Sequence, residues 1–266
     1  MVATGFFAAS LSQKEYGMKR GGFLIVSIVA LLCLVVPGIA FADESTTNLQ
    51  SIVLESFDPG PNRHQWYAQG SQFIAKGYPK WTFAKAWPEA LFGRNTDNKD
   101  LEVLGVNAAF DRQGYNRLEI FPVTKDSSGK LVSDPIQIPG RVHSLDLWVW
   151  GSDHNYYMEV QLEDYTGAVH VLRLGGLNYA GWRDLNVNIP SYIPQSVNTI
   201  PKLRGLKLIK FIIWTEPTAD VSNFYVYLDQ IKVLTDTFES RIDGEGLANP
   251  ATVQQIWSAP DVQKGQ

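Results

Sequence analysis

The sequence predicts an all-β fold, one antiparallel β-sandwich of the jelly-roll type followed by a short C-terminal helix. Three observations carry this. From Ile52 onward, short runs rich in Val, Ile, Tyr and Trp alternate apolar and polar residues at period two, the pattern of a pleated, half-buried strand. Turn-forming clusters separate the runs, among them Asp58-Pro59-Gly60, Arg112-Gln113-Gly114 and Asp164-Tyr165-Thr166-Gly167. The close spacing of the runs reads as an antiparallel sandwich or barrel and not as βαβ units, and no low-complexity linker or internal repeat divides the chain.

Taken in order, the first expected strand is 52–57, ending at the Asp58-Pro59-Gly60 turn, and the next two are 71–76 and 81–86. The runs 102–110 and 116–122 flank Arg112-Gln113-Gly114. The most regular alternation lies in 143–150 and 155–163, and 168–174 follows the Asp164–Gly167 turn. Strands at 183–189, 206–214 and 223–234 complete a sandwich domain taken as residues 43–247. Beyond the Gly-rich Asp243-Gly244-Glu245-Gly246, Asn249 offers a side-chain N-cap and Pro250 a first helical residue. Ala248 to Trp257 therefore reads as a short helix and Ser258 to Gln266 as a frayed tail, together residues 248–266.

The first 42 residues read as an address. Met18-Lys19-Arg20 opens a basic segment, Phe23 to Val36 is an uncharged, mostly apolar run, and Ala40-Phe41-Ala42 supplies a small-x-small cleavage signal. That is the grammar of a secretory signal peptide, with cleavage after Ala42, and its apolar run falls short of the ~20 residues that span a bilayer. Residues 1–17 precede the more natural start at Met18. The expected mature chain touches no membrane, and without Cys33, the sole cysteine, it contains no thiol. The leader carries Lys14, Lys19 and Arg20 against Glu15, so the net charge moves from −4 for the whole chain to −6 for residues 43–266. An acidic chain without a basic run is a poor partner for nucleic acid, whose phosphates need clustered Lys and Arg.

Enzyme signatures are sparse. The sequence has no G-x-S-x-G, phosphate loop, G-x-G-x-x-G or H-E-x-x-H. His64, His143, His154 and His170 have no metal-ligand spacing, and His170, alternating with Val169 and Val171, reads as an ordinary strand residue. Glu159 and Glu163 share one face of a strand at about 13 Å by the strand rise, too far for the ~5–9.5 Å of a glycosidase pair. Asp58, just after the first strand, and Asp229, on the last, are hard oxygen donors that can meet around a structural calcium, although acids at turns more often cap or solvate. No other cofactor is expected.

The most informative stretch is Leu145-Asp146-Leu147-Trp148-Val149-Trp150. Alternation places Leu145, Leu147 and Val149 on one face and Asp146, Trp148 and Trp150 on the other. In the next strand Tyr156, Met158, Val160 and Leu162 form the apolar set, and Tyr157, Glu159, Gln161 and Glu163 face away. Pairing the two as a hairpin puts Trp148, Trp150 and Tyr157 on a single aromatic, acidic face. Such a face suits a protein interface or the stacking of sugar rings, unless a loop or the C-terminal helix covers it as a second small core.

These residues carry a resemblance. Pro139-Gly140-Arg141-Val142, the Leu145–Gly151 run, Asn155-Tyr156-Tyr157, Gly181-Trp182-Arg183 with Val187-Asn188-Ile189-Pro190, and Phe224-Tyr225-Val226-Tyr227 resemble the spirochaetal periplasmic flagellar filament outer-layer (sheath) proteins. Val53-Leu54-Glu55-Ser56-Phe57-Asp58 and Ala86-Trp87-Pro88-Glu89-Ala90-Leu91-Phe92-Gly93 fit the same family, so the resemblance runs from about Ile52 to Trp257. The central pattern is also similar, more loosely, to galactose-binding-like jelly rolls that serve as carbohydrate-binding modules. The resemblance implies a non-enzymatic, exported structural protein of the periplasmic flagellum. It would coat the flagellin core, contact flagellin and other sheath subunits, and contribute to filament assembly and motility. The expectation from a different class is an exported carbohydrate-binding jelly roll without catalytic activity, its glycans stacked on the same aromatic residues.

Overall fold

The computed structural model describes residues 47–94, 100–195, 205–237 and 244–259. The expected leader and its cleavage point at Ala42 lie outside the described residues. Two antiparallel sheets face one another across a single apolar layer. Sheet I contains β1 (Leu49–Glu55), β3 (Lys80–Lys85), β4 (Glu102–Ala108), β8 (Arg141–Ser152), β11 (Ala180–Asn188) and β13 (Phe224–Asp236), in the order β11-β8-β13-β4-β3 with β1 also paired to β13. Sheet II contains β2 (Gln65–Gly70), β5 (Arg117–Lys125), β9 (Tyr156–Glu163), β10 (Val169–Gly176) and β12 (Lys207–Thr215), in the order β10-β9-β12-β5-β2. Two short strands complete it, β6 (Leu131–Ser133) on β5 and β7 (Ile136–Gln137) on β12. Helix α1 (Glu89–Phe92) follows β3, and α2 (Pro250–Trp257) follows a 3-10 turn at Glu245–Ala248. Among the described residues no helix is long and apolar enough to cross a membrane.

The core is built from the alternation read in the sequence. Leu145, Leu147 and Val149 of β8 are wholly buried, as are Met158, Val160 and Leu162 of β9, with Tyr156 nearly so. Each such side chain contributes roughly 1.5–3 kcal/mol by leaving water. Phe224, Val226 and Leu228 of β13 and Leu208, Phe211 and Ile213 of β12 fill the centre between them.

The hairpin expected between β8 and β9 is absent. β8 pairs with β11 and β13, whereas β9 pairs with β10 and β12. The chain crosses from one sheet to the other through Asp153-His154-Asn155, with Asp153 in the left-handed region (φ 57°) that Asp tolerates better than most residues. Both strands aim their apolar sets at the same core from opposite sides, an arrangement that alternation alone cannot distinguish from a hairpin.

Two further expectations are corrected. The strand expected at 71–76 is a turn region, joined to β5 by the Ser71 N–H donating to the Arg117 carbonyl at 2.9 Å and making one isolated bridge between Ile74 and Phe110. The strand lies earlier, at β2, where Trp66 and Ala68 point inward and Gly70 ends the run. Gly70 has no side chain because Ile74 packs against it, within 2.6 Å of where a Cβ would stand. The first strand begins at Leu49 and stops at Glu55, because Phe57 turns into the left-handed region (φ 62°) and breaks the ladder.

The two sheets are tied at this break. Glu55, at the end of β1 and 5% exposed, accepts from the Phe57 N–H at 2.9 Å, the His64 N–H at 2.9 Å and the Trp66 indole N–H at 3.3 Å, and lies 2.8 Å from His64 Nδ1. Burial alone would push the carboxyl up, but the hydrogen bonds it accepts outweigh burial and hold it below its usual value. His64 is raised, its bond to Glu55 outweighing burial.

Glu55 therefore adds stability that is present above about pH 4.5 and is lost as pH falls through its lowered value. His64 adds stability that is present below about pH 6.5 and is lost as pH rises through its raised value. The pair contributes fully between those limits. Glu55→Ala leaves two backbone N–H groups, the Trp66 indole and the His64 imidazole without their acceptor and is expected to cost about 3 kcal/mol or more. Urea unfolding at pH 5.5 measures that loss, and a wild-type pH series should show a plateau in this window that the variant lacks.

Candidate functional site

The outer face of sheet I is an aromatic surface laid down by register. Trp182 of β11 pairs with Trp150 of β8, Trp150 with Tyr227 of β13, Tyr227 with Gly105 of β4, and Gly105 with Thr82 of β3. Trp150 meets Tyr227 edge to face at 5.6 Å. Tyr227 lies down over Gly105, where a Cβ would stand 2.8 Å from its ring. The next row carries Asp184, Trp148 and Asp229, and the one after it Asn186, Asp146 and Lys232, with Lys232 paired to Asp146 at 3.1 Å. Trp148 and Trp150 thus alternate away from the core as expected, but they are half-buried within this layer. The Trp148 indole N–H is buried with no hydrogen-bond acceptor among the described residues.

Where Gly105 leaves no side chain, the face dips into a groove. Lys80, Trp81, Asn107, Tyr225 and Tyr227 line it, and its volume is about 260 Å³. Asn107 pairs with Tyr225 on one side and Lys80 on the other, and its carbonyl oxygen is buried without a donor among the described residues. Trp81 also packs edge-on against Tyr67 of β2 at 4.7 Å, closing the open side of the sandwich.

Tyr157 is not part of that surface. Since β9 belongs to sheet II, Tyr157 lies on the opposite outer face, and the single patch expected from Trp148, Trp150 and Tyr157 is two separate surfaces. Its face is polar and internally paired. The Arg173 guanidinium sits 4.4 Å from the Tyr157 ring, the Trp214 indole donates to Glu159 at 2.8 Å, and Glu119 takes both Arg117 at 2.9 Å and Lys210 at 3.0 Å. Lys207 holds Glu163 at 2.7 Å. Burial, with the charges of Glu159 and Glu216, raises the Tyr157 phenol. Trp214 and Arg117 were not singled out in the sequence. The alternation of 206–214 identified the strand, but only the pairing of β12 with β9 puts Trp214 opposite Tyr157.

Three of the four histidines are engaged by local side-chain contacts, and His143 is exposed on β8. His64 serves Glu55. His170 lies 2.7 Å from Asp164, which also accepts from Thr166 and Ala168. His154 packs against Tyr156 and Phe224 with Nε2 2.9 Å from the Ser222 carbonyl.

Asp58 and Asp229, the calcium candidates, are drawn near one another. Asp58 accepts from the Glu102 N–H at 3.0 Å and Asp229 from the Gln230 N–H at 2.8 Å, at the bulge where Gln230 turns into the left-handed region (φ 51°). Asp229 is 2% exposed, and burial, reinforced by the negative charge of Asp58, pushes its carboxyl up to about 8. Among the described residues no group of three or more His, Cys, Asp or Glu side chains is placed to hold a metal.

Comparison with known proteins adds a family. The family model described as FlaA, flagellar filament outer layer protein, matches residues 46–243. A putative flagellar filament outer layer-like protein of Brachyspira hyodysenteriae is 26% identical over 136 residues, which cover 51% of this chain and 58% of that protein. A flagellar filament outer layer protein of Borreliella burgdorferi is 24% identical over 162 residues, covering 54% of this chain and 47% of that protein. The chain thus spans about half the length of the curated relatives it matches. Among solved structures it is similar to a family 61 carbohydrate-binding module in complex with β-1,4-galactotriose (TM-score 0.35, 14% identity, 68% of this chain and 94% of that one). It is also similar to a family 11 carbohydrate-binding module of a Clostridium thermocellum cellulase (TM-score 0.34, 11% identity, 73% and 99%).

A protonated Asp229 makes stability fall as pH rises. Its folded value of about 8 stands above the ordinary 3.8, so its favourable contribution is complete below about pH 4 and is lost by about pH 8. Asp229→Asn should flatten that decline in a thermal-melting series from pH 5 to 8.5. Millimolar calcium on the same two proteins tests the metal expectation: a rise in Tm at pH 8 that Asp229→Asn abolishes marks Asp58 and Asp229 as ligands.

Proposed function

The chain belongs to the flagellar filament outer layer family, and from that premise we propose that it is a non-enzymatic structural subunit of the sheath around a periplasmic flagellar filament. In this reading it is exported to the periplasm by its leader and lies against the flagellin core and neighbouring sheath subunits. It contributes there to filament assembly and motility. The observation that carries the reading is the extent of the family match, 46–243, which takes in both sheets from β1 to β13.

The geometry supports a role in contact rather than in chemistry. Glu159 and Glu163, the carboxylates weighed for glycoside hydrolysis, are held by Trp214 and Lys207. Large rigid aromatics dominate the outer face of sheet I, the composition that interfaces favour. A second reading, a carbohydrate-binding protein without catalytic activity, draws on sheet II, where Tyr157 and Trp214 stand among Glu159, Arg117 and Arg173. Rings flanked by charged hydrogen-bonding groups are what sugar stacking requires.

The two readings separate experimentally. Antibody against the chain should label purified periplasmic flagella along their length, and cells lacking the chain should yield thinner filaments; labelling confined elsewhere in the envelope overturns the sheath reading. Because Trp150 and Tyr157 lie on opposite faces, Trp150→Ala should reduce co-purification with flagella several-fold, whereas Tyr157→Ala leaves it unchanged, circular dichroism confirming that both are folded. A glycan array that includes flagellin glycans tests the alternative: binding lost in Tyr157→Ala and kept in Trp150→Ala would favour it.

A further inference from the structure

The C-terminal helix is well made but exposed. Asn249 caps it by accepting from the Ala251 N–H at 3.1 Å, and Pro250 starts it, yet none of its residues is buried. Val253, Ile256 and Trp257 recur at the spacing that shares one helix side, and all are exposed, Trp257 by 69%. Leu247, in the preceding turn, is 66% exposed. From Gly246 to Ala259 the chain carries no charge. A helix of eight residues is marginal in water without a packing surface, and this one offers an uncharged, aromatic-tipped stripe for such packing.

The groove over Gly105 has complementary properties. Its volume of about 260 Å³ falls below the ~300–1,000 Å³ of small-molecule pockets and suits one large side chain. Its walls are aromatic, and its rim carries Lys80, which lies 5.1 Å from the Tyr78 ring and has no carboxylate partner among the described residues. The helix has no basic residue in its last turn, so that turn does not itself offset the partial negative charge of the carboxyl end. Ile256 and Trp257 sit at that end. Seating Trp257 in the groove brings the negative end of the helix onto the free ammonium of Lys80.

We propose that the occupant of the groove is Trp257 of a second copy of this chain. The contact joins two different surfaces, helix to groove, and such a head-to-tail union propagates from copy to copy as a ring or open line instead of closing on a two-fold pair. This deepens the sheath reading by naming one partner, and its geometry stands on this chain alone.

Engineered thiols test it in a full chain carrying Cys33→Ser, whose only remaining thiol is the introduced one. A mixture of Ser258→Cys and Thr82→Cys chains should form at least tenfold more mixed disulfide dimer than Ser258→Cys mixed with Val171→Cys, whose thiol lies on sheet II. Adding Trp257→Ala to the Ser258→Cys chain should abolish the excess while leaving Tm unchanged, since Trp257 is 69% exposed. Equal yields with Thr82→Cys and Val171→Cys overturn the proposal. So does a Ser258→Cys/Thr82→Cys double variant that oxidises within one chain at high dilution, which would place the helix on its own groove. Chains that fail to cross-link yet still label flagella overturn this contact and leave the sheath reading standing; cross-linking without flagellar labelling does the reverse.

Discussion

The sandwich depends on the carboxylate of Glu55. β1 belongs to sheet I and β2 to sheet II, and the chain passes between them through the left-handed Phe57, where no ladder hydrogen bond is available. A buried carboxylate accepting from two backbone N–H groups, an indole and an imidazole supplies what the ladder cannot. Charged hydrogen bonds of this kind are roughly twice as strong as neutral ones and, once desolvated, tolerate no loss of a partner. Arg63 extends the junction, holding Glu102 of β4 at 2.6 Å while stacking 4.0 Å over Phe83 of β3. With that corner fixed, Phe57 and Trp66 lie 5.3 Å apart and carry the core on to Phe211 of β12, the central strand of sheet II.

The two outer faces solve different problems. On sheet II, charged and aromatic side chains satisfy one another in place: Glu119 between Arg117 and Lys210, Glu159 under Trp214, Glu163 with Lys207. A surface already satisfied gains little from a protein partner, since desolvating those pairs offsets new contacts. On sheet I, two buried polar atoms have no partner among the described residues, the Trp148 indole nitrogen and the Asn107 carbonyl oxygen, both set in a layer of Trp and Tyr. That surface has more to gain from being covered, in keeping with a family whose members form the outer layer of a filament.

Much of this was legible in the residues. The inward sets of β8, β9 and β13 follow from period-two alternation because burial on one face of a strand enforces that period, and the helix start follows from Asn249-Pro250 because a capping acceptor and a missing N–H are local facts. What alternation cannot encode is sheet membership. It says that Trp150 and Tyr157 both face away from a core, and nothing about whether they face the same way. Sheet membership depends on the crossing at Asp153 and on pairing across distant strands, such as β12 with β9. The misplaced strand at 71–76 has a related cause: Trp66 and Ala68 are buried partly because Glu55 captures the Trp66 indole, a contact eleven residues away that no local pattern announces. The groove at Gly105 was illegible for the same reason, since a glycine within a strand becomes a depression only once Tyr227 is known to lie across it.

The position of β13 has a mechanical consequence. It is an interior strand, paired along one side with β8 and along the other with β4 and then β1, and the C-terminal helix follows from its Asp236 end. Tension applied through the helix therefore pulls β13 lengthwise between its neighbours. Their hydrogen bonds are loaded together, in shear, and must fail as a group. A strand at the sheet edge pulled outward would instead surrender its bonds one at a time. On the helix-to-groove contact proposed above, load would enter the sandwich through β13 in this shear geometry.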